Sequence, residues 1–99
     1  MDIKIKSIHF DATEKLEAFI EKKVSKLEHL YEGIIMADVA LKVVKPETVK
    51  NKSAGIRIKI KNGDCFAEKI CDTFEEAVDT AVEALEKQLL KYKEKSKAK

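Results

Sequence analysis

Hydrophobic and polar residues alternate in four stretches of the chain, and alternation with a period of two predicts β-strands that are buried on one face. Two stretches come early, at about residues 3–6 and 36–45. The other two lie at residues 56–61 and at about residues 64–70. Alternation is strictest in the third stretch, where single basic residues separate three isoleucines (Ile56, Arg57, Ile58, Lys59 and Ile60). We therefore expect four strands.

The segments between the later strands carry turn signals. Residues 46–52 begin with Pro46, which cannot donate to a sheet ladder, and predict a loop. Asn62-Gly63 predicts a tight hairpin, because both central residues of such a turn need positive φ. The facing of the fourth strand stays open, since both of its faces are apolar: Cys65 and Ala67 on one, Phe66 and Ile70 on the other.

Two longer segments place apolar residues at helical spacing. The first is capped by Asp11 or Thr13 and should stop at Gly33; its stripe is Leu16, Phe19, Ile20, Val24, Leu27, Leu30 and Tyr31. The second opens with the capping-box pair Thr73 and Glu76; its stripe is Phe74, Ala77, Val78, Ala81, Val82, Leu85, Leu89 and Tyr92. We expect the second helix to end near Tyr92 and to fray beyond it.

The element order is therefore β-α-β-β-β-α. The first two strands, joined by a helix, should be parallel neighbours, and two hairpins should add the third and fourth strands antiparallel. Both helices must bury their stripes on one face of the sheet. We predict an α+β two-layer sandwich with a four-stranded mixed sheet, as one domain over residues 1–92 and a lysine-rich tail over residues 93–99. The open face should carry Lys4, Lys6, Lys42, Arg57, Lys59 and Lys61.

Charge is distributed unevenly along the chain. Of its 99 residues 38% are charged, and the net charge is only +2. Residues 87–99 hold six lysines and one acidic residue, whereas the first 86 residues hold 14 basic and 17 acidic ones. A cluster of one sign on a nearly neutral body favours a polyanionic partner. A solvated tail is the simpler alternative.

Several function classes find little support in the sequence. No stretch reaches the roughly 18–20 apolar residues of a membrane span, and the N-terminus has no signal-peptide core, so we expect a cytoplasmic protein. We expect Cys65 and Cys71 to form no disulfide with each other and to act as small hydrophobic residues. No metal-ligand spacing, phosphate loop or nucleophile motif is present, so we predict no enzyme, no cofactor and no metal.

The lysines are the best candidates for a functional site. Lys15, Lys22 and Lys26 share one exposed flank of the first helix, with Lys23 beside them, and Lys87, Lys91 and Lys95 form a row on the second. Such rows can neutralise phosphates without reading bases. Pairing with Glu21, Glu86 and Glu94 would instead make them solubilising faces. Among the aromatic residues, Phe66 could be either core or an exposed stacking platform.

Several short runs resemble one known family at matching positions along nearly the whole chain. They are Thr13-Glu14-Lys15-Leu16, Lys23-Val24-Ser25-Lys26-Leu27-Glu28, Asn62-Gly63 and the closing run Leu85-Glu86-Lys87-Gln88-Leu89-Leu90-Lys91-Tyr92-Lys93-Glu94-Lys95. On these residues the chain resembles the ribosome hibernation-promoting factors, also called ribosome-associated inhibitors or sigma-54 modulation proteins, in their short form.

The resemblance implies a fold like that of double-stranded-RNA-binding domains. It also implies binding to ribosomal RNA of the small subunit and whole ribosome, in the messenger and transfer RNA channel, which blocks translation in stationary phase. Lys23, Lys26, Lys87, Lys91 and Lys93 match the basic contact positions of the family. The candidate RNA-binding residues are thus Lys22, Lys23, Lys26, Lys87, Lys91, Lys93 and Lys95.

The sequence departs from the family pattern at three points. The further C-terminal domain with which long members pair two ribosomes is not seen here, so ribosome dimerisation stays open. The family's Asp-Met-Tyr entry to the second helix is Asp72-Thr73-Phe74, and Lys87 replaces a frequent arginine. Two other functions stay as alternatives: a general double-stranded RNA-binding module, and a protein-interaction module that uses the sheet face.

Overall fold

The structure is a computed structural model that describes residues 2–8, 11–44, 50–61 and 63–97, with the backbone alone for residues 94–97. Its elements are β1 (Asp2–Ile8), α1 (Glu14–Leu30), β2 (Ile34–Val43), β3 (Lys52–Ile60), β4 (Gly63–Cys71) and α2 (Phe74–Lys97). This order confirms the predicted β-α-β-β-β-α sequence. None of the helices in the described part of the chain is both long and apolar enough to span a bilayer.

The strands form one mixed sheet in the order β1-β2-β3-β4. β1 and β2 are parallel, because the chain crosses over through α1 between them. β3 is antiparallel to both β2 and β4. The predicted sheet is therefore confirmed.

The core lies between one face of this sheet and the two helices. Nine strand residues that face the helices are at most 7% exposed: Ala37, Val39, Leu41, Ala54, Ile56, Ile58, Ile60, Cys65 and Ala67. Ile3, Ile5 and Ile34 are partly buried against them. The helices cover them with Leu16, Ile20, Val24, Leu27, Ala77, Val78, Ala81, Val82, Leu85 and Leu89. Both stripes bury against one sheet face, which confirms the two-layer sandwich.

The facing of β4 is decided by the same core. Cys65 is 2% exposed and Ala67 is 7% exposed, whereas Phe66 and Ile70 are about half exposed on the opposite face. Burial raises the pKa of the Cys65 thiol, with a further contribution from the charge of Asp64. Cys65 is thus a neutral small hydrophobe, and both it and the half-buried Cys71 are unbridged, as predicted.

Local hydrogen bonds define the helix starts. Thr13 rather than Asp11 caps α1, since its Oγ1 accepts a hydrogen bond from the amide of Leu16 at 3.1 Å. Thr73 Oγ1 caps α2 in the same way, through the amide of Glu76 at 3.1 Å. Each cap satisfies a backbone donor that has no partner within the helix.

The ends of the elements differ from the predictions at three places. α1 ends at Leu30, where Tyr31 is already extended, and Gly33 adopts its φ of 102° in the turn that follows. α2 continues to Lys97, because residues 93–97 contain no helix breaker and lysines favour a helix C-terminus. Gly63 pairs with Ile60 as the first residue of β4; Asn62 and the first part of the predicted 46–52 loop lie outside the described residues.

Truncating a residue at the centre of the core should reduce stability strongly. Ile58 is fully buried on β3, so Ile58→Ala should lower the free energy of unfolding by about 2–5 kcal/mol, because the cavity cannot collapse completely. Urea unfolding measures this change. Lys59→Thr at the exposed neighbouring position is the matched control and should change stability by no more than about 0.5 kcal/mol. Equal losses from the two variants would contradict the assigned facing of β3.

Candidate nucleic-acid interface

The two helices lie side by side and run in the same direction. Lys23 Nζ of α1 is 3.1 Å from Asp79 Oδ1 near the start of α2. Further along both helices, Lys93 of α2 shares an open depression with residues 29–32 at the end of α1. The two contacts occur in the same order along the two helices. The C-terminal ends of both helices are therefore neighbours.

The α1 lysines differ in what surrounds them. Lys22 and Lys26 are exposed and, being four residues apart, share one flank of the helix. The side chain of Lys23 is only 25% exposed. Besides its ion pair with Asp79, its ammonium group lies 5.6 Å from the centre of the Phe19 ring. Lys23 therefore has a role in joining the helices, while Lys22 and Lys26 present their charges to solvent.

The α2 lysines do not lie in a single row. Lys87 and Lys91 are exposed and lie four residues apart, as predicted. Lys91 lines a depression with Asp64, Gln88 and Tyr92, on the flank that faces β4. Lys93 is exposed on the other flank, beside the end of α1. The backbone at position 95 continues the helix one turn beyond Lys91, and its side chain lies outside the described part.

One end of the molecule collects these groups. The β3–β4 hairpin lies at this end, and α2 runs back towards it: a Cβ added to Gly63 would lie 3.3 Å from Tyr92 Oη. β2 begins at the same end, since Ile34 pairs with Ile60. Lys61 is exposed in the hairpin turn. We call this the hairpin end, and define it by Lys26, His29, Lys61, Lys91 and Lys93.

Sequence reasoning missed two members of the hairpin end. The alternation of the third strand predicts Lys61 on the open sheet face, but it lies in the turn, beyond the last residue of β3. His29 belongs to no motif in the sequence, and it lines the depression that contains Lys93. The topology could have indicated both. A helix that follows β4 and packs antiparallel to it must return to the hairpin.

The opposite face of the sheet carries nearly balanced charge. Its five basic residues, which are exposed as predicted, stand among four exposed acidic ones (Lys4, Lys6, Lys42, Arg57 and Lys59; Asp2, Asp38, Asp64 and Glu68). Arg57 Nη1 donates to Asp64 Oδ2 at 2.8 Å, and its guanidinium lies 5.0 Å from the centre of the Phe66 ring. The basic residues of the sheet face are therefore interspersed with nearly as many carboxylates.

Phe66 lies outside the core. Its ring is 46% exposed, and it rests beside Gly55, where an added Cβ would lie 3.5 Å from the ring. An aromatic ring placed over a strand glycine covers backbone that would otherwise be exposed to solvent. Its contacts with Gly55 and Arg57 give Phe66 a structural role on the sheet face. Among the described residues, His, Cys, Asp and Glu form no group of three that could hold a metal ion.

Comparison with known proteins identifies the family. Residues 3–97 match the model of the family described as sigma 54 modulation protein / S30EA ribosomal protein. The chain belongs to this family. The match spans nearly the whole chain and confirms the resemblance noted in the sequence. A member of the sigma 54 modulation protein / S30EA family is a ribosome-associated factor, and the family is not a known family of enzymes.

Individual relatives agree with this assignment. The chain is 27% identical over 95 residues to a ribosome hibernation promoting factor of Azotobacter vinelandii, covering 96% of this chain and 85% of the relative. The N-terminal domain of Thermus thermophilus Protein Y is 27% identical, with a TM-score of 0.82 over 93% of this chain and 99% of that one. A ribosomal subunit interface protein from Coxiella burnetii has the same fold, with 24% identity and a TM-score of 0.84 over 94% and 98%.

The ion pair between the helices should contribute modestly to stability. In a double-mutant cycle of Lys23→Gln and Asp79→Asn, we expect a coupling energy of about 0.2–1 kcal/mol, because both groups keep contact with water. Urea unfolding of the four proteins measures it. Lys22→Gln with Asp79→Asn is the matched control cycle, and its coupling should be close to zero. A coupling energy of zero in both cycles would show that the ion pair between Lys23 and Asp79 does not contribute to stability.

Proposed function

We propose that this protein silences ribosomes. In this proposal it occupies the messenger and transfer RNA channel of the small ribosomal subunit, in the cytoplasm of cells that have entered stationary phase. Family membership along residues 3–97 supports the ribosome as partner. The Azotobacter vinelandii relative, which matches along 96% of this chain, bears the name of a hibernation promoting factor.

The observation that carries the RNA contact is the hairpin end. Lys91 and Lys93 are exposed there. The α1 lysines Lys22 and Lys26 are also exposed, about two turns and one turn before Leu30, which lines the depression that contains Lys93. Exposed lysine ammonium groups act as mobile point charges that neutralise phosphates and release condensed counterions. The depressions beside Lys91 and Lys93 are open to solvent, so recognition should depend on the RNA backbone and its shape.

The proposed contact residues are Lys22, Lys26, Lys87, Lys91, Lys93 and Lys95. Lys23, which was also predicted, would have to leave Asp79 or share its charge with a phosphate. Its expected contribution to RNA affinity is therefore smaller than that of its exposed neighbours. Lys95 is included because its backbone lies one helical turn after Lys91.

Removing three lysines of α2 should weaken ribosome binding strongly. The variant Lys87→Gln, Lys91→Gln, Lys93→Gln should bind ribosomes and small subunits less tightly. The slope of log affinity against log salt should fall by about three, since each lost phosphate contact removes about one. Sedimentation with purified ribosomes and separated subunits, over a range of salt concentrations, measures both quantities.

The matched control removes the same charge from the sheet face. Lys4→Gln, Lys6→Gln, Lys42→Gln should keep the affinity and salt slope of the unaltered protein, because these side chains are exposed on the opposite layer. Circular dichroism and urea unfolding should show that both variants are folded. If the two variants weakened ribosome binding equally, binding would depend on the net charge of the protein and not on a site on α2. Equal binding to an arbitrary duplex of about 16 base pairs would favour a general double-stranded RNA-binding module instead.

A further inference from the structure

Two lysines of α2 that are neighbours in sequence point to opposite sides of the helix. Positions 91 and 93 are about 200° apart around the axis, since each residue of an α-helix turns by roughly 100°. Contacts confirm this separation. Lys91 lies beside Asp64 and Gln88 on the β4 side. Lys93 lies beside residues 29–32 on the α1 side.

Each of the two flanks has a second basic group at the same end of the molecule. On the β4 side, Lys61 is exposed in the hairpin turn next to β4. On the α1 side, Lys26 precedes by one helical turn the residue Leu30, which lines the depression that contains Lys93. The end of α2 is therefore a ridge with cations along both of its sides.

The ridge continues beyond Tyr92. Tyr92 reaches the first residue of β4, Gly63, at the edge of the hairpin. Helix α2 then continues for five residues, to Lys97. Five residues add about 7 Å of helix at a rise of 1.5 Å per residue. The backbone of α2 consequently extends about 7 Å beyond Tyr92, the residue that lies close to the start of β4.

We propose that this ridge inserts between two RNA backbones, so that Lys91 and Lys61 contact one and Lys93 and Lys26 contact the other. The inference rests on the proposed function and adds its geometry. A helix with its side chains is about 10–12 Å wide, so a single phosphate track along one flank cannot reach the ammonium groups on both. Two phosphate tracks, such as the facing sides of a groove or cleft in folded RNA, can reach the ammonium groups on both flanks.

Local charge compensation is the competing explanation. A carboxylate lines each of the two depressions, Asp64 beside Lys91 and Glu32 beside Lys93. If the lysines served only to balance these acids, their removal would change stability and leave RNA binding unaltered. Docking along a single track would make only one of the two lysines matter. The two-backbone contact, charge compensation and docking along a single track therefore differ in whether removing Lys91, Lys93, both or neither weakens binding.

Salt dependence of small-subunit binding separates these arrangements. We expect Lys91→Gln and Lys93→Gln each to reduce the slope of log affinity against log salt by about one, and the double variant to reduce it by about two. Lys4→Gln, which removes an exposed lysine from the sheet face, is the matched control and should leave the slope unchanged. An effect from only one of the two lysines, or from neither, overturns the two-backbone contact.

Photo-crosslinking provides a second measurement that does not depend on affinity. A photoreactive amino acid at position 91 should crosslink to one strand of the folded ribosomal RNA, and the same amino acid at position 93 should crosslink to a different strand. Crosslinks from both positions to the same nucleotides would overturn the inference while leaving the proposed function intact. If the unaltered protein binds no ribosomal particle at either low or high salt, the proposed function fails and this inference fails with it.

Discussion

Burial of two helical stripes against one face of the sheet is the interaction on which the rest of the structure depends. Ile56 and Ile58 lie at the centre of that face and are fully buried. Because side chains alternate along a strand, burying these isoleucines turns Arg57 and Lys59 to the opposite face. The hydrophobic seam therefore also separates the charged residues into two surfaces, a nearly neutral sheet face and a helix layer whose cations gather at one end.

The direction in which each helix runs then decides at which end of the helix layer the lysines lie. α1 must run back across the sheet, because it connects the parallel strands β1 and β2. α2 must run back along β4 towards the hairpin, as the position of Tyr92 Oη, 3.3 Å from where a Cβ of residue 63 would lie, shows. Both helices consequently end beside the hairpin, and most of the lysines of α2 lie in its last turns. A chain with a net charge of only +2 obtains a local polyanion-binding surface in this way.

Lysines that look equivalent in sequence have different physical roles. Lys22 and Lys23 are adjacent, yet the first is exposed and the second joins the helices through Asp79. Lys91 and Lys93 are both exposed, yet they face β4 and α1 respectively. Since the strength of a phosphate contact depends on an available charge at the right place, the number of lysines says less about the interface than their surroundings do.

The sequence alone determined the order of the elements, the buried faces of β2, β3 and both helices, and the cap of α2, because periodicity and capping depend on residues close together in the chain. It left Asp11 and Thr13 as alternatives for the cap of α1. It also indicated the family. The tertiary structure alone decided the facing of β4, the exposed position of Phe66, the partner of Lys23 and the two flanks that carry Lys91 and Lys93. Each of these depends on contacts between residues far apart in sequence, which no local pattern records.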